Sequence, residues 1–149
     1  MREVVILVGM PGCGKTHYCL TALPDHVRLC QDEGPHRFER LFARYLELLD
    51  AGAERIVIDR TNPTAARRAQ FADPARQRGY RVKIVHFDLP QQLCRQRISD
   101  RIGHPTLDAG RMDQAINRYF SVLNPPAPEE CNELVVIGPG QASGQTPGG

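Results

Sequence analysis

Lysine is almost missing from this 149-residue chain: of its 19 basic residues only Lys15 and Lys83 are lysines, and the rest are arginines. Codon usage alone produces such a bias, yet arginine also suits two-pronged contacts to phosphate. Against that background a lysine kept at position 15 stands out. Excess charge is equally scarce, because 17 acidic residues leave a net charge of only +2. A field that mild does not by itself announce a nucleic-acid surface. No apolar run approaches the roughly 20 residues needed to cross a bilayer, so no membrane contact is expected. The opening "MREVVILVGM" has too short an apolar stretch for a signal peptide and no small-residue cleavage site after it. It is expected to be a buried first strand. The five cysteines (Cys13, Cys19, Cys30, Cys94, Cys131) are odd in number, irregularly spaced and never in a C-x-x-C pair. That argues against a disulfide framework and against structural zinc, and for a reducing cytoplasmic location. Aromatics make up 6% of the residues, so base-stacking platforms are few. Tyr18, Phe38 and Tyr119 are expected in the core. No repeat period is present.

What is there is alternation. Apolar runs at 4–8, 27–30, 56–58, 82–87 and 134–137 are expected strands, and three of them lack the polar-apolar alternation of a half-exposed sheet. Strands covered on both faces have that character. Helical patterns lie between them. Phe38, Leu41, Phe42, Tyr45, Leu46 and Leu49 fall at three-four spacing, with Gly52 just past the end. The next helix is expected to open with Asn62 as N-cap and Pro63 in its first turn, and to stop near Gly79. A fourth is expected from about Pro90 to Arg101. A fifth carries Met112, Ala115, Ile116, Tyr119, Phe120 and Leu123 on one stripe. The expected class is therefore α/β: three layers, with a five-stranded, mostly parallel sheet and right-handed crossovers. Residues 1–137 form the expected domain. Residues 138–149, rich in glycine and poor in apolar surface, are an expected flexible tail.

Gly9, Gly14, Lys15 and Thr16 complete the pattern G-x-x-x-x-G-K-[ST], between an apolar run and a helical stretch. Glycines let successive main-chain N–H groups turn inward around a phosphate, and a helix N-terminus adds partial positive charge. Gly12, Cys13, Gly14, Lys15 and Thr16 are the expected nucleotide-binding set, with Lys15 on the β- and γ-phosphates of ATP and the Thr16 hydroxyl on Mg²⁺. The chain leaves little room for a motor and has no guanine-reading N-K-x-D string. A compact phosphotransferase fits that size. It needs an acid beyond the second strand and a lid that carries arginine. "RLCQDEGPHR" supplies Asp32, which can accept the proton of an attacking hydroxyl, with Glu33 beside it. Asp59, at the end of the third run, can orient a Mg²⁺-bound water or touch the acceptor. Arg97 and Arg101, four apart and followed by "GHPTLD", suit a lid that neutralises charge on the transferred group. Arg95 is expected on the surface and His104 in a structural loop role.

Taken together, "VGMPGCGKT", "QDEGPHR", "VIDRTNPTAARR", the Arg97/Arg101 pair with "HPT", and "NPPAPEE" resemble the polynucleotide 5′-hydroxyl kinase family, the P-loop kinase module of end-healing enzymes. The likeness runs from about residue 4 to 137, and "IDxTNP" after the glycine loop is its most specific part. It implies transfer of the ATP γ-phosphate to the 5′-OH end of DNA or RNA. By position it makes Asp32 the general base, Lys15 and Thr16 the holders of phosphate and Mg²⁺, and Arg97 or Arg101 the lid arginine. Arg37 becomes the contact to the acceptor's phosphate, Asp59 and Thr61 the floor of the acceptor pocket, and Arg68 a family arginine that a helix-surface salt bridge explains equally well. "NPPAPEECNE" departs from the pattern by lacking a large apolar residue after the acids. A separate phosphatase or ligase is implied for any 3′-end repair. Arg67, Arg68, Arg76, Arg78 and Arg81 offer a weak basic track for a strand. Two alternatives stand beside this: a kinase of a small hydroxyl compound such as a nucleoside, sugar or antibiotic, and a nucleotide-binding regulator without transfer activity.

Overall fold

The apolar runs become β1 (Glu3–Val8), β2 (Val27–Cys30), β3 (Arg55–Asp59), β4 (Arg81–Phe87) and β5 (Glu133–Ile137), in a computed structural model that describes residues 2–10, 13–30, 35–102 and 107–138. For 97–102 and 107–112 it describes the backbone alone. The five strands form one sheet in the order β2-β3-β1-β4-β5. All four pairings are parallel, so the sheet is more uniform than the mostly parallel one expected. Parallel neighbours need crossovers, and α1 (Lys15–Ala22), α2 (Arg37–Asp50), α3 (Ala65–Gln77), α4 (Gln91–Ile102) and α5 (Leu107–Val122) provide them.

The unbroken apolar run of β1 has a direct cause. Val5 and Leu7 face one helical layer, in a core shared with Tyr18 and Cys19 of α1 and with Ile116 and Tyr119 of α5. Val4, Ile6 and Val8 face the other, where Leu41, Tyr45 and Leu49 of α2 meet Phe71 of α3. No side of the strand meets water, so no polar residue alternates in. Each fully buried aliphatic side chain contributes about 1.5–3 kcal/mol. Five in one central strand therefore outweigh the roughly 1 kcal/mol that a glycine costs in an ordered element. The sheet can carry a glycine-rich turn at its edge.

Two expectations are corrected here. Asn62 does not cap α3. Thr64 does, its hydroxyl accepting from the Arg67 N–H (3.1 Å), and the helix begins at Ala65, beyond Pro63. Asn62 is instead buried at φ +45°, where it donates through Nδ2 to Leu7 O (2.7 Å) and ties the end of β3 to β1. Asparagine tolerates that left-handed backbone better than most residues. Nor does Arg68 lie on a helix surface. It is 1% exposed and bonds to both carboxylate oxygens of Glu130 (2.8 and 3.2 Å), to Asn62 O (3.0 Å) and to Asn124 O (2.7 Å). Glu130, one of the two acids in "NPPAPEE", is thus a structural counter-ion. Burial alone would raise its carboxyl, but hydrogen bonds from Arg68 and the Ala127 N–H, with the charges of Arg68 and Arg76, hold it below the usual carboxylate range.

Candidate functional site

The loop after β1 is shaped by what cannot be there. A Cβ on Gly9 would meet Cys13 Sγ at 2.6 Å and Phe87 Cβ at 3.1 Å, so only glycine lets the chain turn this closely. The Gly9 N–H donates to Thr61 O (3.1 Å), which fixes the turn to the end of β3. Gly14, at φ +99°, is the N-cap of α1, and no side chain caps that helix end. A helix start left uncapped at the carboxyl edge of a parallel sheet is an anion site in waiting. Lys15, the first residue of α1, is buried and folds back over the loop: its ammonium donates to Gly9 O and Met10 O, both at 2.9 Å, with Cys13 Sγ at 3.7 Å. Burial pushes the Cys13 thiol up despite the opposing charge of Lys15, so this cysteine packs the loop as a neutral group.

Beside the loop, Thr16 and Asp59 come together. The Thr16 hydroxyl donates to Asp59 Oδ2 at 3.4 Å, and Asp59 is largely buried at the end of β3. Arg28 of β2 joins both, donating from Nε to Asp59 Oδ2 (2.7 Å) and from Nη2 to Thr16 Oγ1 (3.3 Å). A hydroxyl and a carboxylate oxygen side by side are hard-cation ligands of the kind Mg²⁺ takes. The sequence did not single out Arg28, although a charged residue inside the short run "VRLC" was a signal that something at the sheet edge needed neutralising.

Of the other expected site residues, Thr61 is half-buried and Arg37 is exposed at the first residue of α2. Gly12, Asp32 with its neighbour Glu33, and His104 lie outside the described residues. Arg97 and Arg101 fall on α4 as expected, with side chains outside the described set. Tyr18 and Tyr119 are core residues, whereas Phe38, also expected there, is half-buried against the core, and Arg95, expected on the surface, is half-buried and held by Asp113 (3.1 Å) and Asn117. The basic track is thinned by internal pairing. Four of its five arginines face acids: Arg68 with Glu130, Arg76 with Asp73 (3.8 Å), Arg78 with Asp50 (2.7 Å) and Arg81 with Glu133 (3.1 Å). Only Arg67 of the five has no acidic partner among the described residues.

A second concavity lies next to the loop. Arg60, Thr61, Asn62, Pro63, Thr64, Arg67 and Arg118 line a cleft of about 410 Å³. Sequence reasoning had not grouped its three arginines, because Arg118 comes from α5 and reaches this place only through the fold. The Asn124 N–H donates to Pro63 O (2.8 Å) and Asn124 Oδ1 accepts from the Ala65 N–H (3.2 Å), which docks the chain just after α5 on the β3–α3 turn.

A five-stranded parallel sheet of this order, with its glycine loop between the central strand and a helix, defines a P-loop domain of kinase-like fold. The family model described as an AAA domain matches residues 4–126, and the chain belongs to that family. Among curated proteins it is 29% identical over 135 residues to the transcription factor bHLH140 of Arabidopsis thaliana, covering 85% of this chain and 15% of that protein. The chain thus spans only a small part of that relative's length. Among solved structures it is similar to a gluconokinase from Sinorhizobium meliloti 1021 (TM-score 0.61, 14% identity, 93% of this chain and 84% of that one). It is also similar to a fungal RNA kinase (TM-score 0.57, 15% identity, 91% and 74%). At such identities the likeness speaks for the fold. No helix among the described residues is long and apolar enough to cross a membrane.

Proposed function

We propose that this domain is a phosphotransferase that moves the γ-phosphate of ATP to the 5′-OH end of a DNA or RNA strand. The observation that carries the reading is the meeting, at one sheet edge, of a loop that excludes side chains, the Lys15 ammonium folded over it, and the Thr16–Asp59 pair. The donor set fits a nucleotide phosphate with Mg²⁺: the close-packed turn at Gly9, the uncapped start of α1 and the two oxygens of Thr16 and Asp59. Mg²⁺ held there would offset the negative charge of the phosphates and of the leaving ADP. Lys15 exchanges its bonds to Gly9 O and Met10 O for phosphate oxygens. Asp32 takes the proton of the 5′-hydroxyl as that oxygen bonds to phosphorus and the bond to the β–γ bridging oxygen breaks. An arginine of α4, Arg97 or Arg101, neutralises the group in flight, and Arg37 contacts the acceptor. Repair of a 3′ end is left to a separate phosphatase or ligase.

Incubation with γ-labelled ATP and a panel of 5′-OH oligonucleotides, nucleosides and sugars tests the reading. Label on the oligonucleotides supports it; label on a sugar or nucleoside alone replaces it with a small-hydroxyl kinase, the alternative that the gluconokinase-like fold keeps in view. Lys15→Ala is expected to abolish ATP binding. Asp32→Asn is expected to lower transfer by about 10²–10⁴-fold with ATP affinity nearly intact, the usual span for a lost general base. Full turnover by Asp32→Asn would remove that residue from the mechanism.

A further inference from the structure

β2 is an edge strand, and Arg28 is its one charged residue. Arg28 is in register with Val57 of β3, so its side chain runs two residues further along the sheet to reach Asp59, the register partner of Cys30. Diagonal pairs of this kind help neighbouring strands to hold together. Strand pairing asks nothing of a third element, yet a third element is involved. Arg28 donates from Nε to Asp59 Oδ2 (2.7 Å) and from Nη2 to the Thr16 hydroxyl of α1 (3.3 Å). The same Oδ2 accepts from that hydroxyl (3.4 Å). One guanidinium thus engages both of the oxygens that suit a hard divalent cation.

The two sides of this contact differ in freedom. The Asp59 side chain is 5% exposed and that of Arg28 is 35% exposed. Asp59 sits on β3, which has a neighbour on each side, whereas Arg28 sits at the margin of the sheet. The guanidinium can therefore turn into solvent without any movement of the backbone, and the carboxylate cannot.

A buried carboxylate needs a positive partner, and two positive charges on one of its oxygens repel. Mg²⁺ takes its oxygens at about 2.0–2.1 Å, closer than any hydrogen-bond donor, so a guanidinium on the same oxygens has to give way to it. Against that competition two protein oxygens are a poor site for the bare ion, which sheds its water reluctantly and usually binds through a carboxylate together with substrate phosphates. We infer that Arg28 is a displaceable counter-cation: it neutralises the Thr16–Asp59 pair between rounds of binding, swings out when Mg²⁺ arrives with nucleotide phosphate, and swings back when they leave. The pair is thereby closed to metal that comes without a nucleotide. This rests on the reading of the sheet edge as a Mg²⁺-nucleotide site and adds to it a control over how that site is loaded.

Mn²⁺, which favours the same oxygen ligands, is the probe, because the spin-resonance signal of the free ion disappears on binding. Its uptake is measured on the whole chain, with and without ADP, for the wild type, Arg28→Met, Arg28→Gln, Asp59→Asn and the double variant Arg28→Met/Asp59→Asn. Affinity for metal-free ADP shows that the Arg28 variants keep their phosphate loop. The wild type is expected to hold Mn²⁺ measurably only with ADP present. Arg28→Met is expected to hold it about fivefold more tightly with ADP, and to take it up without nucleotide as well. Arg28→Gln, which keeps a donor and drops the charge, is expected to act in the same direction. Asp59→Asn is expected to weaken Mn²⁺ binding, and in that background Arg28→Met is expected to bring no gain, since no carboxylate is left to contest. Unchanged Mn²⁺ affinity in both Arg28 variants overturns the inference, as does a gain that persists in the double variant. Transfer of label is scored separately. Tighter Mn²⁺ in Arg28→Met with no label passed to any acceptor would keep the counter-cation and sink the kinase reading; transfer by the wild type, with Mn²⁺ affinity indifferent to Arg28, would do the opposite.

Discussion

Arg67 and Arg68 are neighbours in the string "TAARRAQ", and the fold gives them opposite lives. A helix turns about 100° per residue, so adjacent side chains cannot share a face. Arg68 turns inward, 1% exposed, and meets a carboxylate and two carbonyls supplied by residues as far away as Glu130. Arg67 lies against Phe38 with a buried nitrogen unpartnered. One arginine is used up by structure and the other is kept available. The same split runs through the molecule: Arg76, Arg78 and Arg81 are matched to acids, whereas Arg67 and Arg118 beside the phosphate loop have no acidic partner among the described residues. Truncation sharpens the contrast. Arg68→Ala leaves Glu130 and two carbonyls without their donor and is expected to cost about 3 kcal/mol, the lower end for breaking a buried pair. Arg67→Ala is expected to cost only about 1 kcal/mol, the value of its contact with the ring. Urea midpoints of the two variants measure this directly, and equal losses would erase the distinction.

The partner of Arg68 gives the next largest effect. Glu130→Gln leaves a buried guanidinium with a neutral partner, and an expected loss of about 2 kcal/mol at neutral pH follows from the strength of charge-assisted bonds. Its pH dependence has a definite sign. The folded carboxyl titrates below the ordinary glutamate value of 4.5, so the unfolded chain takes up its proton first as pH falls. The stability it contributes is complete above that value and disappears as pH drops through the folded one. The gap in unfolding free energy between wild type and Glu130→Gln is therefore expected to stay constant above 4.5 and to close below it. A gap that widened in acid would show that the carboxyl is not the group that holds Arg68.

The strands and the phosphate loop were legible because their causes are local. Burial on both faces writes an unbroken apolar run into β1, and the loop needs glycine at fixed spacing. The start of α3 was misread because Asn62, an ordinary cap residue by type, adopts positive φ and spends its side chain on Leu7 O, 55 residues away. Pairing of the arginines was illegible for the same reason on a larger scale. Nothing in "TAARR" reveals that Glu130 will be buried against the second arginine, or that Arg118 will arrive beside the first. The cleft exists only once α5 docks on the β3–α3 turn.

Arg28 belongs to neither class of arginine, and it supplies the smallest and most specific effect. Its bonds are to Asp59 and Thr16, the two oxygens proposed for Mg²⁺, so its guanidinium occupies ground that a divalent cation needs. If it served only to hold β2 against β3, its removal would lower stability and leave cation binding unchanged. If it competes, removing it must help the metal. Two positive charges cannot share one carboxylate oxygen without loss, and an exposed charge-assisted bond of this kind is worth ~1 kcal/mol. Arg28→Met, which keeps most of the aliphatic stem, is therefore expected to tighten Mg²⁺-dependent ADP binding about fivefold, the equivalent of ~1 kcal/mol, without changing the affinity for metal-free ADP. Titration calorimetry with and without Mg²⁺ separates the two. An unchanged Mg²⁺ dependence would place Arg28 with the structural arginines and leave Asp59 bound to a partner it does not release.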